Sequence, residues 1–293
     1  MKEIKVKSIL NKHKKRDDWF LGNYTLNPYA GCPFNCIYCY TRGSKYGGDR
    51  GSEVALKVNA VLLLKRQLKN RVRMGERGFI VVGSAAEPYP SVEKSLKATR
   101  EILFLLKRYR FPVHICTKSS LILRDLNVLN EINKDAILPD DLKELGGGVI
   151  ISFSFSTLNE ELASILEPGA PSPIKRLETM KKCSDAGFKV GVINMPVLPF
   201  LSDSNEEIES MLKTAKAHGA EYVMFSGLTL YGDNPGDCKV VYYQFLEDHF
   251  PELAPKYKKL FSGSFAPSKR YQRDLAGRYQ EISAKYRVKN SIV

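Results

Sequence analysis

Long hydrophobic runs are missing from this chain. Nothing approaches the roughly 18 consecutive apolar residues that a bilayer-spanning helix needs. The opening stretch, MKEIKVKSILNKHKKRDDWF, lacks the apolar core of a secretory signal. A cytoplasmic location without membrane association is therefore expected, and thiols stay reduced there. No repeat of fixed period and no low-complexity tract occurs, which excludes a repeat architecture. Cysteine is scarce, with six in 293 residues, yet three of the six fall in eight positions as Cys32, Cys36 and Cys39. In a reducing compartment that crowding points to metal or redox chemistry rather than a disulfide staple.

The hydrophobic share of 43% and charged share of 26% are those of an ordinary globular protein. Acidic charge is in deficit at both ends. Residues 1–20 hold seven Lys/Arg against three Asp/Glu, and residues 255–293 hold ten against two, while the middle is nearly balanced. Basic ends suit a polyanionic partner such as nucleic acid, or serve as solvated faces.

Short β-branched runs alternate with helical patterns. GFIVVGSA precedes SVEKSLKATREILFLLKRY, in which Val92, Leu96, Ile102, Leu103 and Leu106 form one stripe. PVHICTKS, GVIISFSFS, KVGVINMPVLP and YVMFSGLTL continue the series. With a strand before Cys32, about six parallel strands in βαβ units are expected, as a doubly wound sheet or a partial barrel. Either architecture gathers chemistry at the strands' carboxyl ends. Beyond residue 232, VVYYQFLEDHFPELAPKYKKLF and YQRDLAGRYQEISAKYR read as amphipathic helices without a strand between them. The organisation expected is a basic segment 1–20, a barrel 21–232 and a basic helical extension 233–293 packed on it. Tyr271, Leu275, Tyr279, Ile282 and Tyr286 share one helical face and read as a packing stripe. Arg270, Arg273, Arg278, Lys285, Arg287 and Lys289 would then form an outward cationic ridge.

Thiolates select soft metals, so zinc or an iron–sulfur cluster are the candidates. A structural zinc site closes with four ligands, and a conventional ferredoxin cluster also takes four thiolates. Here Cys116, Cys183 and Cys238 are single, and His114 and His218 are not paired in spacing. Three close ligands without a fourth suggest a cubane with one open iron. Alternation in PVHICTK puts His114, Cys116 and Lys118 on one face of their strand, and Ser152 and Ser154 share a face of theirs. Polar residues at such positions imply a polar interior near the strand ends. Ser172 and Pro173 read as a helix start. Glu167 and Arg176 in LEPGAPSPIKR read as a loop tie rather than substrate ligands.

The C-x3-C-x2-C spacing, with an aromatic before the last Cys, resembles the cluster loop of the radical S-adenosylmethionine (SAM) superfamily. NPYAGC, CIYCY, GSAAEPYPSVE, TKSSLILRDLNVL, SFSFSTLNEELASILEPGAPSPIKRLETM and FPELAPKYKKLF narrow the resemblance. From about residue 20 to 262 they look like the spore photoproduct lyase-like (DNA repair photolyase-like) branch. The resemblance implies an α/β partial (β/α)6 TIM-like barrel with a C-terminal helical extension, a [4Fe-4S] cluster and S-adenosyl-L-methionine. It implies cleavage to a 5′-deoxyadenosyl radical that abstracts hydrogen from a substrate, with nucleic acid as the favoured substrate. An external one-electron reductant such as flavodoxin or ferredoxin would serve a monomeric enzyme. Cys32, Cys36 and Cys39 match the cluster ligands, and Tyr38 and Tyr40 match the tyrosines flanking the last ligand, which belong to a radical relay. Tyr38 also falls at the cofactor. Lys118 matches the lysine that meets the cofactor's carboxylate, Ser154 a serine near its ribose, and Ser84 lies near a further cofactor contact. The chain departs from the lyase pattern in GSAAEPYP, which lacks the cysteine that returns hydrogen to the product. Cys116 is the one other cysteine placed inside the barrel, whereas Cys183 reads as core and Cys238 as a loop thiol. The alternatives are a radical enzyme acting on a peptide or small metabolite, and a cluster-bearing binding or electron-transfer protein.

Overall fold

The computed structural model describes residues 1–47 and 53–293. Among them the strands are β1 (Lys2–Ile4), β2 (Asn11–Lys12), β3 (Gly22–Leu26), β4 (Tyr29–Ala30), β5 (Ala55–Lys57), β6 (Phe79–Val82), β7 (Val113–Thr117), β8 (Val149–Phe155), β9 (Lys189–Val197) and β10 (Tyr222–Gly227). The α-helices are α1 (Ala60–Arg73), α2 (Glu93–Leu96), α3 (Ala98–Tyr109), α4 (Leu126–Asp135), α5 (Glu160–Leu166), α6 (Pro173–Asp185), α7 (Asn205–Ala217), α8 (Cys238–His249), α9 (Ala254–Phe261) and α10 (Lys269–Tyr286). No helix among the described residues is long and apolar enough to cross a membrane.

The large sheet runs β10-β9-β8-β7-β6-β3-β2, parallel from β3 to β10, with β2 antiparallel on its edge. Each parallel strand lies beside its neighbour in this series, so the winding never reverses. A doubly wound sheet requires such a reversal. The topology is therefore that of a partial (β/α)6 barrel.

Period-two alternation divides each strand between two environments. Val113 and Ile115 of β7 face the helices, with Ile151, Phe153 and Phe155 of β8 in the same layer. Cys116, Ile150, Ile193, Tyr222 and Met224 fill the barrel interior. A polar chain also crosses that interior. The Tyr222 hydroxyl donates to Ser152 (2.6 Å), which donates to His114 Nε2 (2.7 Å), and His114 Nδ1 donates to the Phe20 carbonyl (2.9 Å). Burial lowers the His114 pKa to about 4, so the imidazole is neutral and one nitrogen can accept. Leu21, Leu142 and Ile292 close the floor. The chain's last residues reach it by pairing with β10, where Val223 N–H donates to the Lys289 carbonyl at 2.8 Å.

Two helices read as continuous are interrupted. SVEKSLKATREILFLLKRY breaks at Lys97, whose φ is 54°. The buried Glu93 carboxylate accepts from Thr99 N–H (3.0 Å) and Arg100 N–H (3.3 Å), capping the start of α3. The VVYYQFLEDHFPELAPKYKKLF pattern likewise divides into α8 and α9 at Phe250–Pro251, because proline cannot continue a helix.

The α10 stripe packs as its period implies. Leu275 and Tyr279 are buried, with Tyr271, Ile282 and Tyr286 against the same core. Tyr279 stacks on Phe225 at 3.9 Å, and the Tyr271 hydroxyl donates to Asp203 at 2.7 Å. The cationic ridge is smaller than expected. Arg278 is held by Asp274 (2.9 Å) and the Asp203 carbonyl, and Lys285 stands 3.6 Å from Glu209. Arg270, Arg273, Arg287 and Lys289 are exposed.

Candidate active site

The loop carrying the three cysteines leaves β4 and returns at β5, strands that pair with each other. Its neck is tight at Gly31, where φ is 76° and a Cβ would lie 1.9 Å from the Glu53 carbonyl oxygen. A larger residue there would force the neck apart. Inside the loop, Cys39 N–H donates to the Cys36 carbonyl (3.2 Å) and Arg42 N–H to the Cys39 carbonyl (2.9 Å).

The far side of the loop is sewn to the segment after α5. Ile37 N–H donates to the Leu166 carbonyl (3.0 Å), and Gly169 N–H to the Phe34 carbonyl (3.1 Å). A Cβ on Gly169 would lie 2.3 Å from the Pro33 carbonyl oxygen, so only glycine permits this approach. Phe34, Cys36 and Tyr38 also pack into a core with Tyr242, Leu246, Tyr257 and Phe261 of α8 and α9. The helices beyond the barrel thus do separate work: α8 and α9 back the cysteine loop, while α10 packs on α7 and β10.

Cys32, Cys36, Cys39, Tyr38, Tyr40, Ser84, Lys118 and Ser154 all line one cavity of about 430 Å³. It opens at the carboxyl ends of β6 to β10, and Phe20 and Cys116 lie deeper in it. The two tyrosines differ. Tyr38 is buried and its hydroxyl donates to Glu167. Tyr40 is 39% exposed and spans the mouth, donating to the Ser84 carbonyl at 2.6 Å. Its ring meets the edge of Tyr46, which is 63% exposed.

Lys118 Nζ donates to Ser154 Oγ (2.8 Å) and stands 3.4 Å from Glu167 Oε1. Ser154 therefore aims the ammonium. Glu167 is the hub of a buried network, accepting from Ser156 Oγ (2.9 Å), from Tyr38 and from Arg176. The Arg176 guanidinium also donates to the carbonyls of Pro171 (2.7 Å) and Ser154 (3.0 Å). Burial alone would raise the Glu167 carboxyl, but Lys118, then Arg176 and the hydrogen bonds hold it at about 2. Within this contact group two buried cations face one carboxylate. Arg176 answers the Glu167 charge from behind, so the Lys118 ammonium, which lines the cavity, can take an anionic ligand group.

Glu87 was missed by sequence reasoning and also lines the cavity. Its carboxyl accepts from Thr117 Oγ1, Tyr89 N–H (3.0 Å) and Lys118 N–H (3.1 Å), and burial nevertheless raises its pKa. The available signal was a lone acid among small residues, AAEPYP, just past a strand end. Burial pushes the Cys32 thiol up to about 12, with the Glu87 charge adding to it. Cys36 is raised by burial first and Glu167 second. Such thiols give up their protons when a metal takes them.

Of the remaining cysteines, Cys183 is core, as its helical position implied. Cys238 is not a loop thiol. It opens α8, is fully buried, and accepts Tyr231 N–H at 3.1 Å. Cys116 lines the cavity, with His114 Nε2 3.8 Å from its sulfur.

Relatives of known sequence include an uncharacterized protein of Mycobacterium bovis, 29% identical over 98% of this chain and 81% of its own length. An uncharacterized protein of Methanocaldococcus jannaschii is 26% identical over 85% of this chain and 83% of its own. Among solved structures, a doubly substituted spore photoproduct lyase with bound AdoMet and dinucleoside spore photoproduct aligns with a TM-score of 0.66 at 15% identity. It covers 94% of this chain and 78% of that one. At that identity the likeness shows the shared partial-barrel fold. The family model for the radical SAM superfamily matches residues 26–215, well over half of the chain. The protein belongs to the radical SAM superfamily of enzymes.

Proposed function

We propose that Cys32, Cys36 and Cys39 hold a [4Fe-4S] cluster whose fourth iron is left to S-adenosylmethionine, and that the enzyme acts on nucleic acid. The observation carrying the cofactor reading is that three thiols, an ammonium aimed by Ser154 and a buried carboxyl group share one cavity at the strand ends. Among the described residues no three His, Cys, Asp or Glu side chains converge closely enough for a single metal ion. A cluster takes each thiolate on a separate iron and does not need the three to converge on one ion.

When bound, the cluster and S-adenosylmethionine supply a 5′-deoxyadenosyl radical that abstracts hydrogen from the substrate. Lys118, aimed by Ser154, takes the cofactor's carboxylate, and Glu87 suits its ammonium. Tyr38, fixed in the wall, keeps the cluster loop in register. Tyr40, at the mouth beside Ser84, stands where a substrate enters and is the better placed of the two for a radical relay. Radical SAM enzymes generally need an external reductant, and flavodoxin or ferredoxin chemistry fits that need.

Exposed aromatics and cations at the mouth support nucleic acid as the substrate class. Tyr40 and Tyr46 offer faces for base stacking, and Lys45 stands 5.2 Å from the Tyr46 ring centre. Arg270 and Arg273 begin α10 beside the loop that follows β9, at the same end of the barrel. Arg287 and Lys289 lie at the opposite end, as does Arg16, which pairs with Asp141 ahead of β8. Binding should therefore use Lys269, Arg270 and Arg273, with log affinity falling against log salt at a slope near −3 on duplex and little sequence preference. Reversing Arg270 and Arg273 to Glu should flatten the slope, whereas reversing Arg287 and Lys289 should leave it. Salt-titrated binding to single- and double-stranded DNA and RNA checks this. Absence of salt-dependent binding would favour a peptide or small-metabolite substrate.

A further inference from the structure

Glu167 occupies an unusual position for a residue outside the cysteine loop. Its side chain is fully buried, and its partners come from four separate places in the chain: Tyr38, Lys118, Ser156 and Arg176. Arg176 would satisfy it alone as a loop tie, since that guanidinium is itself 1% exposed and takes Oε2. The other oxygen, Oε1, faces Lys118 and Tyr38 instead. A carboxylate so placed opposes any second carboxylate that approaches the Lys118 ammonium. It also adds negative charge near Cys36, two residues from the tyrosine it holds.

We propose that Glu167 is a positioning residue that holds the Lys118 ammonium before the ligand arrives, competes with the ligand's carboxylate for it, and makes the cluster harder to reduce. The proposal rests on the reading that Lys118 is the carboxylate subsite. Two like charges sharing one cation repel through a partly dry wall, where solvent screens them poorly. The competition makes carboxylate capture weaker than the lysine alone would allow. In return, Lys118 is held in place by Ser154 and Glu167 rather than left to explore rotamers.

The test uses iron-loaded, unreduced protein, so that no cofactor is cleaved. Affinities are measured for S-adenosylmethionine and for its decarboxylated form, which differ only in the carboxylate. Taking the ratio of the two cancels any effect of Glu167 on the ligand's shared cationic groups. Glu167→Gln keeps an acceptor for Tyr38 and Ser156 but removes the charge. The ratio should rise about tenfold in favour of the carboxylate-bearing ligand, about 1.4 kcal/mol, and the ligand-free cluster's midpoint potential should move positive. Ser156→Ala removes one hydrogen bond while keeping the charge, and should leave the ratio within about twofold of wild type. If Glu167→Gln fails to fold because Arg176 is orphaned, Glu167→Gln with Arg176→Met is compared with Arg176→Met alone, which isolates the Glu167 charge, and should show the same two changes. If the ratio or the potential stays at the value of the protein that keeps Glu167, in a folded variant, Glu167 is a loop tie only and the proposal is overturned. If the wild-type protein does not distinguish the two ligands at all, the carboxylate reading of Lys118 fails first.

Discussion

Cys32→Ala, Cys36→Ala and Cys39→Ala proteins should each fold and each lose most of their iron–sulfur absorption and iron. Removing one of three ligands leaves an iron corner without its thiolate, and neutral donors do not replace a thiolate for soft iron. The fold should survive because the loop is held by contacts other than its sulfurs. Backbone bonds tie Ile37 to Leu166 and Phe34 to Gly169. Phe34 and Tyr38 are anchored among α8 and α9 residues, and Tyr38 is tied to Glu167. The controls are Cys116→Ala, Cys183→Ala and Cys238→Ser, which should keep full iron content. Cys183→Ala truncates a buried side chain and should lower stability without touching iron. Serine at position 238 keeps an acceptor for Tyr231 N–H. Iron and sulfide analysis with visible absorption, beside circular dichroism, checks all six. Loss of the cluster in a folded Cys116, Cys183 or Cys238 variant would refute the three-ligand site.

Lys118→Ala should weaken S-adenosylmethionine binding by roughly ten- to a hundredfold with iron content unchanged. A carboxylate on a partly buried ammonium is a charge-assisted hydrogen bond worth about 1.5–3 kcal/mol, and each 1.4 kcal/mol is about tenfold. The lysine side chain is 10% exposed, so solvent replaces it poorly. The substitution is tolerable because Glu167 keeps Arg176, Tyr38 and Ser156. Titration calorimetry of the iron-loaded protein reads the loss directly. The decarboxylated analogue should bind wild type and variant alike, which separates lost carboxylate capture from a collapsed pocket. Unchanged affinity for S-adenosylmethionine would make Lys118 a wall cation with no ligand.

Much of this site is legible in the sequence because the signals are local. Cysteine spacing marks the loop. Strand alternation puts His114 and Cys116 inward from Val113 and Ile115, and the structure keeps that division. Helical period likewise marks the buried face of α10. Other features depend on partners far away in the chain. Tyr38 and Glu167 meet across 129 residues, and no spacing rule links them, so Glu167 reads from sequence as a loop tie alone. Arg278 looks like part of an exposed ridge until Asp203 and Asp274 claim it. The break at Lys97 follows from Glu93 capping α3 in place, a choice that helix propensity does not reveal. Nothing in VKNSIV announces that Ile292 seals the barrel floor.

Anaerobic reconstitution, followed by reduction with a strong one-electron donor in the presence of S-adenosylmethionine, is the most direct test of the chemistry. Methionine and 5′-deoxyadenosine should form together in equal amounts, and only in protein retaining Cys32, Cys36 and Cys39. A reconstituted, reducible cluster that binds S-adenosylmethionine but yields no 5′-deoxyadenosine would contradict radical catalysis by this chain.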